Sequence, residues 1–210
     1  KYSQTATVEN GKDREHPISR TLLRDFKLSG LAVSTIAERP GGTGMGRSSR
    51  FTVGLLHNLS TYTGRSYGKQ ELGAGACRVE IDLLNEPIGK QDQYAAAYGG
   101  LNVIEFNPDG TVDVQPVNIS EETRATLNSN LKLYYLGNQR SASAILAEQK
   151  KNTSQESKFQ ALSTMVGLVY ELRDALEAGD LDNFGALLHN NWLLKQQLAS
   201  GITNPRLTDA

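Results

Sequence analysis

The run Pro40-Gly41-Gly42-Thr43-Gly44-Met45-Gly46 constrains this chain more than any other segment. Its glycines mark a loop, and the flanking sequence fixes what kind. Upstream, Gly30 to Ala37 carries Leu31, Val33 and Ile36, the pattern of a strand. Downstream, Ser48 to Tyr62 places Phe51, Leu55, Leu56 and Leu59 on one helical face. Strand, glycine loop and helix in this order are either a phosphate-binding arrangement or a plain tight turn, and the glycines with the paired serines favour the first. Glycine lets the backbone approach an anion closely, and the first amides of the helix point at it with the helix dipole behind them. Ser48 and Ser49 stand at the helix start, where a hydroxyl donates to phosphate or ligates Mg²⁺.

The rest of the chain reads as mixed α and β up to about residue 137 and as helical after it. A helix is expected from His16 to Phe26, with Ile18, Leu22, Leu23 and Phe26 at helical spacing. Another is expected from about Lys69 to Leu84, weakened at Gly73 and Gly75 by roughly 1 kcal/mol each relative to alanine. A short helix over Asp92–Tyr98 closes at Gly99-Gly100. Leu101–Phe106 and Thr111–Val117 flank Asn107-Pro108-Asp109-Gly110, which reads as a hairpin. Leu131 to Leu136 alternates like a further strand. The clearest helix carries Phe159, Leu162, Val166, Val169, Leu172 and Leu176. It ends at Gly179, suited to a C-terminal cap, and Asp180 opens the next helix. Two domains follow, residues 1–138 and 139–210.

Charge narrows the class of partner. With 22 basic against 23 acidic residues, net −1, no basic excess points to nucleic acid or a membrane surface. No apolar run approaches the ~20 residues of a membrane span. The single cysteine, Cys77, has no partner for an intrachain disulfide and no base in view, and the expected location is the cytoplasm. His16, His57 and His189 lack metal-ligand spacing, and Trp192 reads as packing.

Two families offer a template for the loop. Gly41 to Ser48 resembles a Walker A loop with Arg47 where lysine should stand, but arginine's planar fork does not replace lysine's point charge freely. Pro40 to Ser49 resembles more closely the second motif of the GHMP kinases: proline, a spacer, then Gly44-Met45-Gly46-Arg47-Ser48-Ser49. The segment Glu80-Ile81-Asp82-Leu83-Leu84-Asn85-Glu86-Pro87-Ile88-Gly89-Lys90-Gln91-Asp92-Gln93 is similar to the heptose 7-phosphate kinase group of that superfamily. The likeness runs on through Leu101–Gly110, Arg140–Asn152, Leu187–His189 and Ala199–Arg206.

That resemblance implies an α+β, two-domain GHMP fold, its N-terminal part like ribosomal protein S5 domain 2 and its C-terminal part helix-rich. It implies ATP and Mg²⁺ as cofactors, and transfer of phosphate to the anomeric hydroxyl of a heptose 7-phosphate, on the way to nucleotide-activated heptose for surface polysaccharide. Pro40, Gly42, Gly44, Gly46, Ser48 and Ser49 would hold the nucleotide. Ser48 and Glu80 would ligate the metal, hard oxygens that leave room for phosphate and water. Asp92 would take the proton of the acceptor hydroxyl. Gln93 would lie among the substrate-binding residues. Lys90 and Arg140 are candidates for the cationic cradle of the sugar phosphate. Read from the residues alone, Glu80 is equally a solvated helix glutamate and Asp92 an N-cap.

The chain departs from the family pattern in two ways. Arg47 and Arg50 stand where small residues are expected, and a guanidinium there crowds the phosphate loop. The first and third GHMP motifs are not found between Lys1 and Ala210, so the sequence reads as a fragment, weak or inactive alone. Two further functions therefore compete with the kinase. One is a relative that binds sugar phosphate or nucleotide without turnover. The other, more distant, is a P-loop hydrolase.

Overall fold

A computed structural model describes residues 16–31, 33, 46–134, 142–200 and 202–203. The chain divides into two compact units, Lys1–Gly100 and Leu101–Ala210. The expected boundary at residue 138 lies outside the described residues.

In the first unit the described elements are helical. Helix α1, Pro17–Asp25, starts with proline, whose fixed φ suits the first turn. It buries Ile18, Leu22 and Leu23 on one side. Helix α2, Arg47–Tyr62, begins at Gly46 in the left-handed region, φ 61°. Its buried stripe is Ser49, Thr52, Val53, Leu55, Leu56, Leu59 and Ser60. Helix α3, Lys69–Cys77, continues without a break into a π-helical segment, Arg78–Leu83. Helix α4, Gln91–Tyr98, completes the unit. The four helices and the π segment enclose one core built on Leu22, Leu56, Leu59, Leu72, Ala76 and Val79. Of the strand expected at Gly30–Ala37, Gly30, Leu31 and Val33 have irregular backbone; the other residues lie outside the described set.

Gly73 and Gly75 do not interrupt α3. A Cβ on Gly73 would stand 2.9 Å from the Tyr94 ring of α4, and one on Gly75 would stand 2.7 Å from a Leu56 methyl of α2. Each glycine therefore marks a close approach of neighbouring helices, and that contact offsets its low helix propensity. An exposed ion pair, Arg78 to Asp25 at 2.6 Å, links the π segment to α1.

The second unit opens with the expected hairpin. Strand β1, Asn102–Phe106, pairs antiparallel with β2, Val112–Pro116, in the register Asn102↔Pro116 to Phe106↔Val112. The turn is tied by Asn107 N–H to Thr111 O and by Gly110 N–H to Asn107 O, both at 3.0 Å. Helix α5, Glu121–Asn130, follows, capped by Ser120, whose Oγ accepts from Thr123 N–H at 3.0 Å. The expected strand at Leu131–Leu136 is not found. Residues 131–134 are irregular and exposed, because no described segment pairs with them to satisfy a ladder, and 135–136 lie outside the described residues.

Helices α6, Ala142–Asn152, α7, Glu156–Ala178, and α8, Leu181–Lys195, are the remaining described helices. The α7–α8 turn is as the sequence predicts. Gly179 takes φ 75°, Asp180 N–H reaches Ala175 O at 2.9 Å, and the Asp180 carboxylate accepts from Asn183 N–H at 3.1 Å. A second apolar cluster gathers Ala161, Leu198, Ala199 and Ile202 with Trp192 packed against it. The architecture is α+β.

Candidate active site

Three helix ends of the first unit bring the site together: the start of α2, the π segment and the start of α4. At the start of α2 the first-turn amides have no intrahelical acceptor, and the N-cap residue, Gly46, has no side chain to cap them. Donors unsatisfied in this way are what an anion binds. Gly46 precedes them, and the carboxylate of Asp92 stands against it. A Cβ on Gly46 would lie 3.3 Å from both Cγ and Oδ2 of Asp92. Glycine is required here twice, once for the left-handed backbone and once for the space.

Ser48, one residue into α2, donates its hydroxyl to Glu80 Oε1 in a short hydrogen bond. One turn on, the Thr52 hydroxyl donates to Ser48 O at 3.0 Å and steadies that first turn. Glu80 is 1% exposed. It sits in the π segment, where Leu84 N–H reaches back to Val79 O at 3.1 Å and Glu86 N–H to Glu80 O at 3.0 Å. The wider turn of a π segment, often found at functional sites, places Val79 and Glu80 side by side in the interior. The second Glu80 oxygen accepts from Gln93 Nε2 at 2.6 Å. Gln93 is fully buried, and its Oε1 has no hydrogen-bond partner among the described residues.

Asp92 occupies the first turn of α4, whose N-cap is Lys90, and no side chain caps that helix. The N-cap role considered for Asp92 is thus absent, and among the described residues no hydrogen bond engages its exposed carboxylate. Lys90 is exposed and has no carboxylate partner among the described residues. Beneath it, burial pushes the Cys77 thiol up to about 11, against the opposing pull of the Lys90 charge, so the thiol is an inert core group.

The structure brings together Gly46, Ser48, Glu80, Asp92 and Gln93. Ser49, at 3% exposed, points into the core side of α2. Pro40, Gly42, Gly44 and Arg140 lie outside the described residues. Sequence reasoning did not identify the π segment or the contacts of Gly73 and Gly75; two glycines inside an otherwise helical pattern were the available signal.

The donor set suits Mg²⁺. The Ser48 hydroxyl and the Glu80 carboxylate are hard oxygens, of the kind that a Mg²⁺ taking its other ligands from phosphate and water would use. No group of three or more His, Cys, Asp or Glu gathers among the described residues. No described helix is long and apolar enough to cross a membrane.

Comparison with known proteins gives a consistent picture. Residues 16–100 match the family model described as the GHMP kinases N terminal domain. The chain is 27% identical, over 90% of its length, to a D-glycero-alpha-D-manno-heptose 7-phosphate kinase of Campylobacter jejuni and spans 57% of that protein. It is 24% identical to a galactokinase of Pyrococcus furiosus, across 78% of this chain and 52% of that one. A crystal structure of a D-glycero-D-manno-heptose 1-phosphate kinase from Bacteroides thetaiotaomicron superposes with a TM-score of 0.69 at 26% identity, covering 86% of this chain and 54% of that one. The chain thus spans about half the length of these relatives.

Proposed function

We infer, from residues 16–100 being a GHMP kinase N-terminal domain, that this chain carries the phosphate- and metal-binding part of an ATP-dependent sugar kinase. The observation that supports it most is the convergence of Ser48, Glu80 and Asp92 beside Gly46. The acceptor class we propose is a heptose 7-phosphate, as named for the Campylobacter relative, phosphorylated on its anomeric hydroxyl.

Phosphoryl transfer asks a protein mainly to hold the reactants in line and to neutralise charge. The α2 amides and the glycine loop, Pro40, Gly42, Gly44 and Gly46 with Ser48 and the backbone amide of Ser49, would receive the nucleotide phosphates. Ser48 Oγ and the Glu80 carboxylate would hold Mg²⁺, which would supply positive charge against the nucleotide phosphates. Asp92 accepts the proton of the sugar hydroxyl as the new O–P bond forms and ADP leaves. Lys90 and Arg140 receive the sugar phosphate. A cytoplasmic setting, where ATP is supplied, fits these roles.

A second reading, binding without turnover, draws on Arg47 and Arg50. The Arg50 side chain reaches back from α2 to Gly46 O at 3.4 Å, which puts a guanidinium beside Gly46. Phosphorus NMR of the chain with Mg·ATP and a panel of hexose and heptose phosphates separates the two readings. The kinase reading expects an anomeric phosphate signal that Asp92→Ala abolishes. A folded chain that binds nucleotide and yields no product, even with Arg47→Ser and Arg50→Ser together, would favour the binding-only reading.

A further inference from the structure

We propose that Gln93 is a positioning residue that fixes the Glu80 carboxylate for its divalent cation, acting from the same turn of α4 that carries Asp92. This inference rests on the kinase reading above. Gln93 has no exposed surface, and the partner its side chain touches is Glu80. Its Nε2 donates to Glu80 Oε2 at 2.6 Å, while the Ser48 hydroxyl occupies Oε1.

Three features give that amide its role. First, the terminal torsion of a glutamate is broad, and a donor held on one oxygen is what selects its plane. With Oε2 bound to Gln93, Oε1 is presented toward Ser48 and the start of α2. Second, both groups holding Glu80 are neutral, and none of the described ion pairs involves it. A buried carboxylate held by neutral donors keeps its negative field for a cation, where a lysine or arginine in place of Gln93 would cancel it. Third, Gln93 Oε1 is buried without a partner among the described residues. An apolar residue of similar length would fill the space without that orphaned acceptor. What only the amide supplies is the N–H on Glu80. Because Asp92 is the adjacent residue, the same bond ties the height of the α4 turn to the carboxylate.

The test is Mn²⁺ binding to the 210-residue chain with the non-hydrolysable analogue AMPPNP present, read by the electron paramagnetic resonance of free Mn²⁺. Gln93→Met is expected to weaken Mn²⁺ about 10- to 100-fold, the range typical for loss of a group that orients a metal ligand. In a Glu80→Ala background the same substitution is expected to add almost nothing, since it acts through the missing carboxylate. An unchanged affinity in Gln93→Met, or a fully additive double variant, overturns the proposal. A second measurement needs no change at residue 93. The Gln93 side-chain amide proton, followed by NMR in the wild-type chain, should shift when Mg²⁺ joins AMPPNP, and should not in Glu80→Ala. A proton that never moves also overturns it. A wild-type chain that binds no Mn²⁺ would bring down the kinase reading itself. Binding that Glu80→Ala removes and Gln93→Met leaves intact would remove only the role of Gln93.

Discussion

The helices of the first unit bury their apolar stripes, while the stripe along α7 in the second is covered only in part. In the first, Leu22, Leu56, Leu59 and Val79 are at most 4% exposed. In the second, Phe159, Val166 and Val169 follow each other along α7 at helical spacing, and they are 56%, 61% and 41% exposed. Periodicity therefore identifies a helix without saying whether anything covers it. In the first unit the covering is explicit: α2, α3 and α4 approach at Gly73 and Gly75, closely enough that a methyl group would not fit. That close approach also carries the site, because Ser48, Glu80 and Gln93 hydrogen-bond to one another only if α2, the π segment and α4 stay in contact.

Substitutions at matched positions break or sharpen this contrast. The largest effect is expected at Leu22, which has no exposed surface: Leu22→Ala should destabilise the chain by about 2–5 kcal/mol in denaturant unfolding. Val166→Ala, on the exposed stripe, should stay within about 0.5 kcal/mol of the parent. Equal losses at both would mean that the α7 stripe is covered in solution.

A smaller contrast lies between two helical glycines. Gly73→Ala drives a methyl into the buried Tyr94 ring and should cost about 1–3 kcal/mol, outweighing its gain in helix propensity. Gly167→Ala in α7 meets nothing within 4 Å and should stabilise by up to about 1 kcal/mol. Thermal unfolding of the pair gives the signs directly; a stabilised Gly73→Ala would deny the close packing of α3 on α4. A small effect is also expected for Arg78→Ala. Its ion pair with Asp25 has side chains 53% and 38% exposed, and an exposed pair of this kind is worth about 0–1 kcal/mol. A larger loss would mean that charge, and not the apolar core, holds α1 to the π segment.

Much of this was legible in the sequence where a local rule decides the outcome. The Asn107–Gly110 turn, the Gly179 cap and the Asp180 N-cap each depend on a few adjacent residues. The α1 and α2 stripes follow from spacing alone. The Glu80 and Asp92 positions were legible through resemblance to a family motif, and the structure brings them together. What was not legible depends on distant partners. Leu131–Tyr134 alternates like a strand, but a strand needs a neighbour, and none of the described segments supplies one. Helix α5 has no buried residue and so no apolar stripe to announce it. The π segment continues α3 without any breaking residue between them. The inward-facing side chain of Gln93 follows from a bond to a residue thirteen positions away, which no local pattern records.

The central claim is that Ser48 and Glu80 form a cation site at the start of α2. The most direct test is calorimetric titration of the chain with AMPPNP, once with Mg²⁺ and once with EDTA, for wild type and Glu80→Gln. Tighter binding with Mg²⁺ in the wild type, and no difference between the two conditions in Glu80→Gln, is the predicted result. A metal dependence that survives Glu80→Gln undiminished would contradict it.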